Sequence, residues 1–437
     1  MADFFVPEID PKNPQRHLRV LQTEFGFRSV YDSVSFCNRC GSCQQVCPTY
    51  ALTGEEPFSP RGRNQAVRLA AEGKLKIAAN RARLERVVNT CLLCGRCTQA
   101  CAGKIPTAQH MLELRRALGN TVLPGLLQKL LGWRSRRPGL FRGVVRTGLC
   151  LRRMGLLRLL RGCGLTRLAA LRWLEHADDI LPRRINSSDK TFWRQALKES
   201  PKEPSLIYLP SLEAAFFMPS LAAGVLKKAQ QKYQVQVWEQ VSSGLFEYVY
   251  GDLRQSRRLV RRLIRRCART GTGSLPLLTD SIDVYLFWRR APQLFDRWPR
   301  LARQAQAWAD RLVFVTELFP KTPPAATAVA APVRLDPSSL FEREGKPFDQ
   351  ARQILKTHFK KNFVECFYRD ADTPAFGYAF VRGNLSEQIF LNTVRTVART
   401  QTGTVFTLSG LSALELNEQL RRFYPQAQAD HLACLDG

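Results

Sequence analysis

Eight of the 13 cysteines in this 437-residue chain fall into two tight groups, and that clustering constrains the chain more than any other feature. The first group is Cys37-x2-Cys40-x2-Cys43-x3-Cys47, followed by Pro48; the second is Cys91-x2-Cys94-x2-Cys97-x3-Cys101. Three thiolates at two-residue intervals along one loop can grip three irons of a cubane. The fourth cysteine begins the departing helix and is carried away; in two-cluster ferredoxins it ligates the other cluster. The expected arrangement is therefore crosswise, with one [4Fe–4S] cluster on Cys37, Cys40, Cys43 and Cys101 and a second on Cys91, Cys94, Cys97 and Cys47.

Structural zinc is the competing reading. Zinc sites pair Cys-x2–4-Cys units far apart in the chain, four ligands to a metal, whereas here a third and a fourth cysteine follow at fixed intervals, twice over. Disulfides fit less well, because clustering at short spacing in a large chain points to metal binding in a reducing compartment. None of the five histidines lies in either group. Pro48 keeps the helix from continuing backward through the loop. Gly41 and Gly95, each after the second cysteine, let the backbone approach a cluster and donate N–H groups to its sulfurs. Cys150, Cys163, Cys267, Cys366 and Cys434 stand singly and read as core or half-buried residues.

Hydrophobic residues make up 45% of the chain and charged residues 24%, ordinary values for a folded protein with room for two or three domains. The start, Met1 to Pro7, shows no basic segment followed by an apolar one. No stretch reaches the ~18–20 apolar residues of a membrane-spanning helix. The expectation is a cytoplasmic protein, able to attach to the inner face of a membrane from the side. A formal net charge of +29 asks for an anionic partner.

Four stretches differ in character. Residues 1–118 hold both cysteine groups. Residues 119–200 form an Arg- and Leu-rich connector, with no Asp or Glu from Leu114 to Leu174. Residues 201–300 open with a buried strand, Ser205 to Pro210, then a helix from Pro219 to Gln231, an alternating strand from Tyr233 to Trp238 and a helix from Asp252 to Arg266. Residues 301–437 carry an Ala/Pro linker, Pro320 to Pro332, then a helix over Ser386–Thr400, a strand over Thr404–Leu408 and a helix over Ser412–Phe423. The last two stretches both read as α/β units and raise the question of an internal repeat.

The run from Cys37 to Tyr50, the element Ser59-Pro60-Arg61-Gly62-Arg63 and the run from Cys91 to Cys101 together resemble the iron–sulfur subunit of glycolate oxidase. The wider group takes in iron–sulfur subunits of lactate-utilisation complexes, anaerobic glycerol-3-phosphate dehydrogenase and heterodisulfide reductase. One departure is Cys101-Ala102-Gly103, where a Cys-Pro is usual. The resemblance implies an α+β multidomain fold: an N-terminal all-helical two-cluster ferredoxin domain, then two α/β cysteine-rich domains. In such domains a Cys-Cys-Gly motif and a later Cys-x-x-Cys hold a further iron–sulfur centre. Here the cysteines are gone. Leu209-Pro210-Ser211 looks like the Pro-Gly-Cys turn, and Ser242-Ser243-Gly244 followed by Gly251-Asp252 looks like Cys-Cys-Gly followed by Gly-Asp. Asp280-Ser281-Ile282-Asp283 takes the place of Cys-x-x-Cys, and Ser409-Gly410-Leu411-Ser412 looks like Cys-Pro-x-Cys with both cysteines replaced. A hydroxyl binds iron far less well than a thiolate, so only the two N-terminal clusters are expected.

Between Lys129 and Arg172 many arginines alternate with leucines. Leu151, Leu156, Leu157, Leu159, Leu160 and Leu165 supply an apolar face that covers the ferredoxin domain or lies on an anionic membrane. A second run, Arg254 to Arg266, reads as the solvated face of a helix. No helix-turn-helix, zinc finger or stacking motif accompanies either run, which argues against nucleic acid. The chain shows no catalytic acid–base pair and no Gly-x-Gly-x-x-Gly fingerprint, so a flavin would sit on a partner. With the resemblance, these features imply a non-catalytic electron-transfer subunit. It would serve an FAD-containing 2-hydroxy-acid dehydrogenase and pass single electrons to a quinone or other carrier. The alternative is a scaffold in which the clusters are structural and the basic surface docks nucleic acid or another assembly.

Overall fold

The computed structural model describes residues 21–23, 26–28, 30–119, 138–164, 178–181, 187–198, 201, 203–238, 242–270, 273–320, 331–337, 345–365 and 379–435. They form two compact units, the first made of the described residues of 1–123 together with Phe246–Leu253. It begins with an antiparallel hairpin, β1 (Leu21–Thr23) and β2 (Gly26–Arg28), in which Thr23 pairs with Gly26. The unit is thus mostly helical and not all-helical as expected. Strands of three residues each are too short to leave a periodic signal in the sequence.

Six helices follow: α1 (Val30–Ser35), α2 (Pro48–Thr53), α3 (Pro60–Ala71), α4 (Arg81–Asn89), α5 (Arg96–Gln99) and α6 (Thr107–Leu118). Pro48 and Pro60 each occupy a first helical position, where a missing N–H costs nothing. The core is apolar, with Val34, Val67, Ala70, Leu84, Val88, Met111 and Leu114 buried. His110 crosses it, contacting Ser33 Oγ at 2.6 Å through Nε2 and Asn64 Oδ1 at 3.0 Å through Nδ1. The Asn64 amide nitrogen donates to Thr107 Oγ1, so its oxygen accepts from His110 Nδ1 and leaves Nε2 to accept from Ser33. Burial lowers the His110 pKa to about 3, and the ring ties α1, α3 and α6 together as a neutral group.

The second unit opens with α7 (Pro138–Arg153) and α8 (Leu156–Gly162), then α9 (Ser187–Lys198). Leu151 and Leu159 are exposed, as is Met154, while α7 packs through Phe141 on Phe216 of its own unit. The arginines are partly engaged: Arg152 pairs with Asp178 and donates to the Leu181 carbonyl, and Arg161 pairs with Asp179. Leu165 and the stretch 120–137 lie outside the described residues.

The remainder builds two parallel four-stranded sheets. The first runs through β3 (Leu206–Tyr208), α10 (Leu212–Phe216), α11 (Pro219–Gln230) and β4 (Val235–Val237). The chain then passes through α12 (Leu245–Val249), which belongs largely to the first unit, and returns through α13 (Leu253–Arg269), β5 (Leu277–Thr279), α14 (Ile282–Arg289), α15 (Pro299–Ala309) and β6 (Leu312–Phe314). Its strand order is β4-β3-β5-β6, so one helix and one strand beyond residue 300 still belong to it. The second sheet comprises β7 (Val333–Asp336), α16 (Lys346–Phe359), β8 (Phe363–Val364), α17 (Ala379–Arg399), β9 (Thr404–Thr407), α18 (Gly410–Phe423) and β10 (Gln428–His431). Its order, β10-β9-β7-β8, is the same winding, with the first and third strands central. The suspected repeat is real at the level of topology. The linker at Pro320–Pro332 falls largely outside the described residues. Among the described residues no helix is long and apolar enough to cross a membrane.

Candidate metal centre

The two cysteine loops have the same backbone. In the first, Arg39 (φ 55°) and Gly41 (φ 85°) are left-handed; in the second, Leu93 (φ 57°) and Gly95 (φ 71°) occupy the equivalent positions. For Arg39 and Leu93 this conformation costs about 1–2 kcal/mol, a strain that persists only where the surroundings impose it. Alternating handedness turns successive N–H groups into one concavity, a nest that attracts anions and recurs at iron–sulfur sites.

The fourth cysteine of each loop lies near thiols of the other. Burial pushes the Cys43 thiol up to about 12, and the nearby Cys37, Cys101 and Cys40 add to the effect. Burial likewise raises Cys97, helped by Cys94, Cys91 and Cys47. Cys43 is thus near Cys101, and Cys97 near Cys47, in each case the last cysteine of the opposite loop. Cys47, Cys91, Cys94 and Cys97 also line one cavity. Among the described residues, no three His, Cys, Asp or Glu side chains stand close enough to hold a single ion. The thiols are grouped but not closed around a point. Soft donors in fours beside paired nests fit clusters of several irons, where each thiolate has an iron of its own.

The Ser-Pro-Arg-Gly-Arg element joins these loops. Ser59 caps α3 by accepting from Gly62 N–H at 2.9 Å, and Pro60 starts the helix. Arg61 pairs with Glu56 at 2.7 Å. Arg63 is buried, with Nη1 3.7 Å from Cys47 Sγ and Nη2 donating to Thr49 and Thr90 hydroxyls. Its Nε donates to the Val87 carbonyl, so no carboxylate is among these partners. Burial works against its charge, but the Cys91, Cys47 and Cys97 sulfurs outweigh it and the pKa is raised. In place of a carboxylate, this buried guanidinium is set against cysteine sulfur, Cys47 Sγ being in contact with Nη1. Arg115 is a second buried cation, whose Nη2 donates to the carbonyls of Val88 and Cys91 and so fixes the entry to the second loop. The motif was visible in the sequence, whereas the roles of Arg63 and Arg115 were not; a side chain reaching across many residues leaves no local pattern.

Gly62 permits this packing. A Cβ there would lie 2.0 Å from the Glu56 carbonyl oxygen, which is backbone and cannot swing away. Gly62→Ala is expected to destabilise the first unit by about 3 kcal/mol or more, read as a lower denaturant midpoint with early loss of brown colour. An unchanged midpoint would contradict the packing.

The serine and aspartate positions of the second unit lie at the carboxyl ends of the central strands. Asp280 accepts from Ser211 N–H at 2.8 Å and from the Tyr208 hydroxyl at 2.8 Å. Ser281, Asp283, Ser409 and Ser412 are buried nearby with Glu213, Glu415 and His431. The two turns meet directly, since Ile282 N–H donates to the Leu408 carbonyl at 3.0 Å. Burial, then neighbouring carboxyls, raises Glu213 to about 8, and raises Glu415 well above the usual range through Asp283 and Glu213. Asp280 is raised to about 6 by burial against the pull of its hydrogen bonds, and burial lowers His431 to about 4. Glu213 and Glu415 are thus held protonated at neutral pH beside the hydrogen-bonded Asp280. Ser243 is elsewhere, accepting from Trp288 Nε1 through its carbonyl.

Of the single cysteines, Cys267 is buried and Cys434 half-buried as expected, but Cys150 and Cys163 are exposed. They lie on α7 and at the end of α8, helices that keep much of their surface in solvent. Cys366 is outside the described residues.

Residues 33–105 match the family described as 4Fe-4S dicluster domain, a span that contains all eight clustered cysteines. The chain is 31% identical over 102 residues to a probable glycolate oxidase iron-sulfur subunit of Bacillus subtilis (strain 168), covering 23% of this chain and 22% of that one. It is 31% identical over 121 residues to the glycolate oxidase iron-sulfur subunit of Escherichia coli (strain K12), covering 26% and 28%. A subunit of the dihydromethanophenazine:CoB–CoM heterodisulfide reductase of Methanosarcina acetivorans is 30% identical over 113 residues, covering 22% and 28%. The chain thus spans about a quarter of the length of the curated relatives it matches, and no solved structure matches it. What these similarities establish is an iron–sulfur dicluster domain related at low identity to the iron–sulfur subunits of glycolate oxidase and heterodisulfide reductase.

Proposed function

We propose that this chain is a non-catalytic electron-transfer subunit of a flavin-dependent 2-hydroxy-acid dehydrogenase complex of the glycolate or lactate type. In this reading it relays single electrons from an FAD-containing partner to a quinone or other carrier. Cys37, Cys40, Cys43 and Cys101 hold one [4Fe–4S] cluster, and Cys91, Cys94, Cys97 and Cys47 hold the other. The observation that carries the reading is the crosswise grouping of the thiols on two loops of identical backbone handedness.

When bound, such clusters supply reversible one-electron storage. The chain's own residues do the rest. The nests of Arg39–Gly41 and Leu93–Gly95 offer N–H groups, Arg63 balances charge at Cys47, and Leu92 and Leu93 keep water from the second loop. The second unit serves as a docking platform, its cysteine-rich ancestry kept in fold but not in ligands. Contact with an anionic membrane surface is supported by Leu140, Met154 and Leu159, which stand exposed among arginines on α7 and α8.

Anaerobically purified protein is expected to contain about eight irons and eight sulfides per chain, to show reversible paramagnetic signals on reduction, and to capture a flavoprotein from its native extract. About twelve or sixteen irons would mean that the second unit does bind a cluster. Clusters that cannot be cycled would defeat the electron-transfer reading.

A further inference from the structure

The second unit carries a concavity of about 1120 Å³ between α13 and the segment running through α15 to Arg311. One wall presents Arg257, Arg258, Arg261 and Arg265. The facing wall presents Arg297, Arg300 and Arg303, with Arg311 at its end. None of the lining residues is acidic. The floor is apolar, made by Ile264, Phe295 and Trp308, all buried. At the rim Trp298 is 49% exposed, and the Arg257 guanidinium lies 5.2 Å from its ring centroid.

Two separate chain segments, about forty residues apart in sequence, thus converge their guanidinium groups on one apolar hollow. Simple solvation does not require this. On a solvated helix, arginines need no matching cationic wall opposite, and like charges facing each other across a hollow repel. An anion placed between them reverses the sign of every such term. Guanidinium groups suit phosphate best, because their fork matches two oxygens at once. A bare inorganic anion would use the charge and leave the floor and the Trp298 face wet. A flat ring joined to several phosphates uses both, the ring against Trp298 and the phosphates between the walls. The volume lies just above the range of small-molecule sites, which run about 300–1,000 Å³.

We propose that this groove binds an organic polyphosphate bearing an aromatic ring, of the nucleoside polyphosphate class. This lies outside the electron-transfer reading and does not depend on it.

The test uses the full, cluster-loaded chain, with ATP, inorganic tripolyphosphate and a single-stranded 20-mer oligonucleotide as probes, followed by calorimetry and by quenching of tryptophan fluorescence. ATP is expected to bind and quench, and to bind at least tenfold more tightly than tripolyphosphate. The variant Arg261→Gln/Arg300→Gln/Arg303→Gln is expected to weaken ATP binding by about 100-fold or more, as befits the loss of three charge-assisted contacts. The variant Arg81→Gln/Arg83→Gln/Arg86→Gln removes the same charge from exposed positions on α4 and is expected to change binding less than threefold. Trp298→Ala is expected to abolish the quench and the preference for ATP over tripolyphosphate. Cluster absorbance and circular dichroism report on folding for every variant. No ATP binding, equal affinity for tripolyphosphate, equal loss in both triple variants, or binding of the oligonucleotide alone would each overturn the proposal; the last would point to nucleic acid instead.

Discussion

Replacing Cys101 with serine is expected to halve the iron content, from about eight to about four per chain, and to free the thiols of Cys37, Cys40 and Cys43. Those three, and not Cys91 or Cys94, would then react with an alkylating reagent and be found modified by mass spectrometry. The mirror variant, Cys47→Ser, is expected to free Cys91, Cys94 and Cys97. The expectation follows from which thiols crowd each other: Cys101 acts on Cys43, and Cys47 acts on Cys97. If each loop instead kept its own fourth cysteine, Cys101→Ser would expose Cys91, Cys94 and Cys97. The two wirings differ in which peptides carry the label, so the result is decisive even if the overall yield falls. The Cys47 variant should do more damage than its mirror, because it also leaves the buried Arg63 facing a weaker partner.

The second large effect is a loss of stability on the alkaline side. Glu213 keeps its proton to about pH 8 in the fold, and Glu415 is raised well above the usual range, whereas in the unfolded chain both ionise near pH 4. Between those limits the folded protein holds protons that the unfolded chain has released. The stabilisation is therefore complete below about pH 4 and is lost as pH rises through the folded values. Burial lowers His431 to about 4, so its contribution works the other way. That contribution is complete above about pH 6.5 and leaves the alkaline range to the acids. From pH 6.5 to 8, Glu213 alone accounts for about 2 kcal/mol of lost stability, and Glu415 acts in the same direction. Glu415→Leu removes a carboxyl with neither oxygen hydrogen-bonded in a site that is 1% exposed. It is expected to stabilise the unit by about 1–4 kcal/mol at pH 8 and to flatten the dependence of the urea midpoint on pH. A midpoint that falls equally steeply in both proteins would show that Glu415 is not held neutral.

The cysteine loops were legible because ligand chemistry is written at short range, in spacings of two and three residues. The crosswise pairing proposed for them draws on the same short-range pattern, since a helix leaving a loop carries its first cysteine away. What governs the surroundings was not. Arg63 lies sixteen residues from Cys47, and nothing local distinguishes it from Arg61, which remains near the surface. The strands of the second unit are two to four residues long; β3, β4 and β9 were read from apolar runs or alternation, whereas β5 to β8 and β10 were too short to show either. Asp280 and Asp283 drew notice as replacements for cysteine, but Glu213 and Glu415 did not. A lone glutamate within an amphipathic helix reads as solvent-facing until the other sheet is brought against it. The arginines of α13 read correctly as exposed, yet the facing wall at Arg297–Arg303 belongs to a different element and completes the hollow only in three dimensions.

The bond from Ile282 N–H to the Leu408 carbonyl has a dynamic consequence. It ties the turn after β5 to the turn after β9, at a place where Gly410 also brings α18 against Glu213, Leu221 and Met218. Neither half can open there without presenting the buried carboxyls of Glu213 and Glu415 to water and breaking main-chain pairing with the other. The two sheets are therefore expected to exchange their amide protons as one cooperative block in a hydrogen-exchange measurement. Independent breathing is confined to elements remote from this seam, such as the ends of α7 and α8.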